Sequence, residues 1–360
     1  MAAKKIRYGV LGGGFRAAFY LRIALEAPDL FEVCGQVTHY PEKTAKYRGL
    51  LGVRLYDSAA ALVQAEAPDF LVVSIRRPRE PENDPMIDLV KLDIPLLMET
   101  PAAFTVEGLD RIYEICRGKK VQVAEQLHAQ AEIAAVIAVA NSGILGSVTQ
   151  VDAAFHHTYH CLNVVRKILN LTFENAEIRA KRYCFPVVQG YTRGGIAETE
   201  QLVTETRDFA LLDFNGKLVN YNYENNQIRA FVRSPHICVR GERGEIHDRT
   251  VRWLAGHKDL RMYTWERLYG GAQSNMEPLH FRGLMGEGRW LYLNLYPYTR
   301  LSDEEIAVAT ITEKMAAYVE EGKSFCSMAE ACQDQYLSLM IEKSAVEGKP
   351  LVTETRIWAE

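Results

Sequence analysis

The chain lacks any apolar run long enough to span a membrane as a helix. Its longest, Ile133–Ala140, directly follows Glu132 and falls far short of the ~20 residues such a span needs. It also lacks basic blocks. With 42 basic against 46 acidic side chains and a formal net charge of −4, it has no electrostatic reason to bind nucleic acid or an anionic membrane. Cysteine is scarce: seven residues, an odd number, none spaced as Cys-x-x-Cys. That excludes both a disulfide framework and a zinc knuckle, and leaves most of these thiols as small buried hydrophobes. Between Met1 and the first strand-like run stand only Ala2, Ala3, Lys4 and Lys5, too few for the apolar core of a secretory signal, so the expected location is cytoplasmic.

There is no internal repeat, low-complexity tract or Gly/Ser linker. The 360 residues are 48% hydrophobic and 24% charged, an ordinary globular composition, and at about 100–200 residues per domain the length predicts two domains packed together rather than tethered. Up to residue 126, short apolar runs alternate with helical spacing. Strands are expected at Ile6–Leu11, Phe31–Val37, Arg54–Tyr56, Phe70–Ile75, Pro95–Met98 and Val121–Ala124, with helices at Phe15–Glu26, Ser58–Glu66, Met86–Leu92 and Val106–Arg117. Several of these runs are continuously apolar, as in a doubly wound parallel sheet covered on both faces.

A further helix is expected at Ala129–Asn141. From Val148 longer strand-like segments follow: Val148–Phe155, Glu177–Tyr183, Phe209–Phe214, Leu218–Tyr223, Ile228–Ser234 and Ile237–Arg240, with turn chemistry at Asn215-Gly216 and Asn225-Asn226. This texture predicts a mainly antiparallel sheet. Ser302-x-x-Glu305 and Ser327-x-x-Glu330 read as capping boxes that open helices running toward Glu320 and Glu347. The expected architecture is thus α/β followed by α+β, with domains at 1–126 and 127–360.

Immediately after the first strand, Gly12, Gly14 and Ala17 occupy the three small-residue places of a G-x-G-x-x-G/A pattern, with Phe15 and Arg16 opening the helix. Glycine at the first two lets the backbone turn tightly and approach a pyrophosphate, and a small third residue lets helix and sheet pack closely. A dinucleotide is the expected ligand. The second strand ends on Thr38 and His39 rather than on the Asp or Glu that would hold both ribose hydroxyls of NAD. With Arg16 or Lys43 they can accommodate a 2′-phosphate, which favours NADP over NAD. Ser74, Arg76, Glu99 and Glu125, at or just beyond the ends of later strands, complete the expected cofactor set. In the arginine-rich Ser74–Arg79 loop, Arg76 or Arg77 is placed to meet a phosphate or an acidic substrate.

Together these segments resemble the GFO/IDH/MocA family of NAD(P)-dependent sugar and polyol oxidoreductases. The resemblance is carried by Tyr8–Gly14, by Met98-Glu99-Thr100-Pro101 where the family has Glu-Lys-Pro, by Asn141–Val148, by His160-Cys161-Leu162-Asn163 where it has His-x-x-Asp, and by Gly241–Ile246. It implies a Rossmann domain followed by an open antiparallel sheet, one face of which serves the active site and the other oligomerisation. It implies a carbohydrate-like small-molecule substrate. It also implies that His160 handles a hydroxyl proton as hydride moves, a task suited to an imidazole titrating near neutrality.

Thr100 stands where the family has lysine and offers a hydroxyl but no positive charge. Thr100, Asn163 and Tyr159 are therefore expected to position substrate around His160. A non-catalytic protein that senses dinucleotide or sugar is the alternative that this departure opens. A helix from Thr158 to Asn170 would put His160, Asn163 and Lys167 on one face, with Leu162, Val165 and Leu169 on the other. His156, His157 and His160 also have a spacing that can converge on one ion. No neighbouring Cys, Asp or Glu supplies a further ligand, so no metal is expected.

Overall fold

The structure, a computed structural model, describes residues 4–224, 227–271 and 279–359. The chain forms two compact units, each built from several stretches: residues 1–131, 267–283 and 293–332 in the first, and 132–266, 284–292 and 333–360 in the second.

The first unit contains a parallel sheet of β1 (Ile6–Leu11), β2 (Phe31–Val37), β3 (Phe70–Val73), β4 (Leu96–Met98) and β5 (Val121–Val123), in the order β2-β1-β3-β4-β5. Every residue of β3, β4 and β5 is buried, as in a sheet covered by helices on both faces. The helices are α1 (Phe15–Glu26), α2 (Ala45–Leu51), α3 (Ala59–Glu66), α4 (Met86–Leu89) and α5 (Val106–Cys116). Ser58 and Thr105 cap α3 and α5 by accepting from the amides of Ala61 and Gly108. The strand expected at Arg54–Tyr56 is reduced to one parallel bridge between Leu55 and Gln36, held by Gln36 N–H to Arg54 O at 3.0 Å and Tyr56 N–H to Gln36 O at 2.9 Å. With that bridge at its edge, the sheet has the doubly wound order, and the sequence in which its parallel strands are added switches direction between β1 and β3. There the crevice of such sheets opens.

The second unit carries α6 (Ala131–Ala140), β6 (Val148–Ala154), α7 (Thr158–Leu169), β7 (Glu177–Val188), β8 (Leu202–Phe214), β9 (Lys217–Glu224), β10 (His236–Gly241), β11 (Gly244–His247), β12 (Thr250–Gly256) and β13 (Asp259–Thr264). The β14 (Glu266–Gly270), β15 (His280–Gly286) and β16 (Arg289–Leu293) strands make a separate three-stranded sheet. Of the remaining elements, α8 (Asp303–Glu321) belongs to the first unit, while α9 (Met328–Glu347), for most of its length, and β17 (Leu351–Val352) belong to the second. The large sheet has nine strands in the order β13-β12-β11-β10-β6-β9-β8-β7-β17, antiparallel except for the β6–β9 pair. Its longest pairing, β7 with β8, runs from Glu177 opposite Asp213 to Val188 opposite Leu202. Asn215 and Gly216 both take positive φ, 56° and 92°, in the tight turn expected between β8 and β9.

Further expectations change. Ile228–Ser234 is not a strand: Gln227–Arg229 forms a 3-10 turn, because the buried Gln227 amide donates to Ala154 O at 3.0 Å and Ser234 O at 2.7 Å and folds the segment on itself. On α7, His160, Asn163 and Arg166 are buried along with the apolar side chains. The helix α2 and the strands β12–β17 had no counterpart in the sequence reading. The Asn225-Asn226 turn lies outside the described residues. Both capping boxes form, Ser302 with Glu305 and Ser327 with Glu330. The seven cysteines are free thiols, and among the described residues no helix is long and apolar enough to cross a membrane.

Candidate functional site

At the end of β1 the chain must turn beneath the strand β3. Gly12 does so at φ +127°, where a Cβ would lie 2.0 Å from Ser74 O, so only glycine fits. The turn is fastened from behind by Gln36, whose Nε2 donates to Gly12 O at 2.7 Å while its Oε1 accepts from Thr44 Oγ1 at 3.1 Å, both side chains being fully buried. A Cβ on Gly13 would meet Thr38 Oγ1 at 2.3 Å. On Gly14, the residue preceding α1, it would meet no protein atom within 4 Å. The second glycine of the pattern therefore borders open space at a helix N-terminus that has no acidic residue in its first turn, an environment that suits a pyrophosphate. Ala17 is buried against the sheet and Phe15 is exposed, its ring edge-on to Phe19.

The remaining nucleotide candidates divide by engagement. Thr38 accepts from Tyr40 N–H at 3.0 Å, and His39 and Arg76 are exposed. The Arg16 guanidinium pairs with Glu304 at 2.9 Å and Glu99 at 3.6 Å, so its charge is already met by two carboxylates. Glu99 also accepts from Tyr20 Oη at 2.6 Å, and burial pushes its carboxyl above the ordinary value against the opposing pull of Arg16. Glu125 is buried and accepts from Leu127 N–H at 3.0 Å. Arg77, a phosphate candidate from sequence, is instead a buried brace: it pairs with Asp84 and donates to Ala102 O, holding the loop that carries Thr100 and Pro101. Thr100 itself is half-buried at the end of β4.

In the second unit, the link from β6 to α7 brings His156, His157, Tyr159 and His160 together. Tyr159 and His160 have ring centroids 4.3 Å apart, and His160 is 5% exposed. The helix start is fixed by Thr158 N–H, which donates to Tyr221 Oη at 3.1 Å, and burial raises the Tyr221 hydroxyl well above its usual pKa. Asn163 is anchored: its Nδ2 donates to Asp334 Oδ2 at 2.7 Å, while Arg166 pairs with Asp334 Oδ1. Lys167 is half-buried on the same helix.

Sequence reasoning missed Gln36, Thr44, Tyr20 and Asp334. A glutamine inside the otherwise strand-like Phe31–Val37 run was the one available signal; the others are polar residues whose partners lie far along the chain.

Residues 6–127 match the model of the GFO/IDH/MocA oxidoreductase family, described as an NAD-binding Rossmann fold. Among solved structures, levoglucosan dehydrogenase in complex with NADH and levoglucosan is similar at 16% identity and a TM-score of 0.66, covering 97% of this chain and 99% of that one. Scyllo-inositol dehydrogenase from Lactobacillus casei matches at 10% identity and a TM-score of 0.66, over 98% and 99% of the two chains. The WlbA dehydrogenase from Bordetella pertussis, in complex with NADH and UDP-GlcNAcA, matches at 15% identity and a TM-score of 0.63, over 99% and 100%. Identities this low establish a shared fold. Curated protein sequences gave no match.

Proposed function

We propose, from the match of residues 6–127 to the GFO/IDH/MocA model of NAD-binding oxidoreductase domains, that the chain moves hydride between a nicotinamide and a CH–OH carbon of a sugar, polyol or sugar-derived acid. The observation that carries this reading is the glycine turn where the strand order of the parallel sheet switches, with open space over Gly14 at the start of α1. When bound, the dinucleotide supplies the hydride acceptor or donor. The chain's share is to hold the pyrophosphate on the Gly12–Gly14 backbone and to take the hydroxyl proton at His160, with Tyr159, Asn163 and Thr100 orienting substrate. Residues 1–126 would serve nucleotide binding and 127–360 substrate binding.

NAD is the coenzyme the family model names. The preference for NADP rests on Thr38, His39 and Lys43, since Arg16 is matched by Glu99 and Glu304. A homo-oligomer is supported by exposed Tyr183, Phe185, Phe209 and Leu211 on one face of the β7–β8 pair, and a reducing cytoplasm by seven free thiols. Thr100 favours one second reading, a sensor that binds nucleotide or sugar without turnover.

Titration with NAD and NADP, followed by nicotinamide absorbance over a panel of sugars, inositols and uronates, tests both. Turnover that disappears in His160→Ala supports the dehydrogenase. Tight nucleotide binding with no turnover across the panel supports the sensor, and refusal of both nucleotides overturns the dehydrogenase and the nucleotide-sensing form of the second reading.

A further inference from the structure

Three imidazoles meet where β6 gives way to α7. The ligand atoms of His156, His157 and His160 all lie within 4.8 Å of one another. Their ring centroids form a nearly equilateral triangle, 4.5 Å between His156 and His157, 4.9 Å between His156 and His160, and 4.8 Å between His157 and His160. An ion held at about 2.0–2.1 Å by three imidazole nitrogens in tetrahedral geometry sets the ring centres about 5 Å apart and the nitrogens about 3.4 Å apart. The centres already have that spacing, so ring rotation rather than backbone movement brings the nitrogens inward. His156 and His157 are half-buried and His160 is nearly enclosed, which leaves two adaptable ligands beside one fixed one.

The surroundings hold this arrangement in place. The Thr158 amide is tied to Tyr221 Oη, and β6 is paired on both sides up to Ala153. The imidazole stack continues to Tyr223, at 6.4 Å from the His156 ring, whose hydroxyl burial pushes up to about 12. The sequence offers no Cys, Asp or Glu beside these histidines as a fourth donor. A site with three protein ligands needs none, because its fourth position is taken by water or an exchangeable ligand. An all-imidazole set selects zinc, cobalt, nickel or copper over magnesium and calcium, which prefer oxygen.

The geometry points to a site at which His156, His157 and His160 bind one divalent transition-metal ion, and at which occupancy silences proton transfer by His160. The second half rests on the dehydrogenase reading above. An imidazole that gives one nitrogen's lone pair to an ion carries its proton on the other and can accept no hydroxyl proton, whichever nitrogen faces the metal.

The test uses the full chain, stripped with chelator and titrated with Co²⁺, alongside His156→Gln and His157→Gln. The expected result is one Co²⁺ per chain with the visible absorption of tetrahedral cobalt, its affinity at least tenfold weaker in each variant, and NADH fluorescence titrations unchanged by the ion. Turnover of the unmodified protein should fall in step with the cobalt absorption, while His157→Gln keeps its turnover at the same Co²⁺ concentration. Absence of saturable binding, or binding and absorption unchanged in both variants, overturns the site. Turnover that persists with the site filled, or that requires the ion, overturns the silencing. A protein that binds Co²⁺ as described but no NADH retains the metal site and loses the dehydrogenase reading, so the two failures are distinguishable.

Discussion

Gly12 carries the most local constraint in the nucleotide region, because a methyl group there would collide with the Ser74 carbonyl at a φ that L-residues rarely adopt. Gly12→Ala should therefore abolish nucleotide binding in a fluorescence titration, whereas Gly14→Ala, whose Cβ meets no protein atom, should fold normally and weaken only the nucleotide. Thr100→Lys should raise kcat/KM by about 10²–10³-fold, the worth of ~2.7–4 kcal/mol for one preorganised group facing developing charge; unchanged kinetics would show that the missing cation is not what limits the reaction. Glu99 gives a pH signature. Its carboxyl is raised in the folded state, so the folded chain binds this proton more tightly than the unfolded chain does. The stability it contributes is full below the ordinary carboxylate pKa and is lost as pH rises through the raised value. Glu99→Gln still accepts from Tyr20, so the melting temperature of the unmodified protein minus that of the variant should fall as pH increases from about 4.5. A flat or rising difference would mean that Arg16 fully compensates the buried charge.

Among elements, α7 is tied to α9 through Asp334. Asp334 receives Asn163 Nδ2 on one oxygen and Arg166 on the other, both within the buried side of the second unit. Asp334→Ala removes the carboxylate paired with the buried Arg166 guanidinium and should cost about 3–5 kcal/mol, read as a lower urea midpoint at unchanged slope. This contact also marks what the sequence could convey. The bounds of α1 and the start of α8 were legible because they are written locally, in glycine, capping serine and apolar spacing. Burial of α7 on its polar side was not, because it follows from Asp334, 171 positions away from Asn163. The α2 segment carries a glycine and little apolar periodicity. The β7 and β8 strands extend well past their predicted ends through residues exposed on one face, where hydrophobic alternation fades. Of the candidate site, the glycine turn was readable as a motif, and the histidines as a spacing. The engagement of Arg16 and Arg77 with carboxylates was not readable, since neither Glu304 nor Asp84 announces its partner.

At the scale of the whole chain, the first unit is discontinuous. Residues 293–332 return to it, α8 packs along α1, Arg22 pairs with Glu305, and Gln122 Oε1 accepts from the amides of Phe325 and Cys326 at 2.9 and 3.1 Å. A pattern read along the chain has no mark for such a return. A fragment of residues 1–131 lacks these partners and should show weak, non-cooperative thermal unfolding by circular dichroism; a sharp transition would mean that the sheet and its own helices suffice.

The same discontinuity has a consequence during synthesis. Completion of the first unit must await residue 332, although its five parallel strands have all emerged by residue 123. At ~5–20 residues per second the nascent sheet spends about 10–40 s without its last helix, with apolar surface bare on the ribosome, an interval in which chaperone capture competes with aggregation.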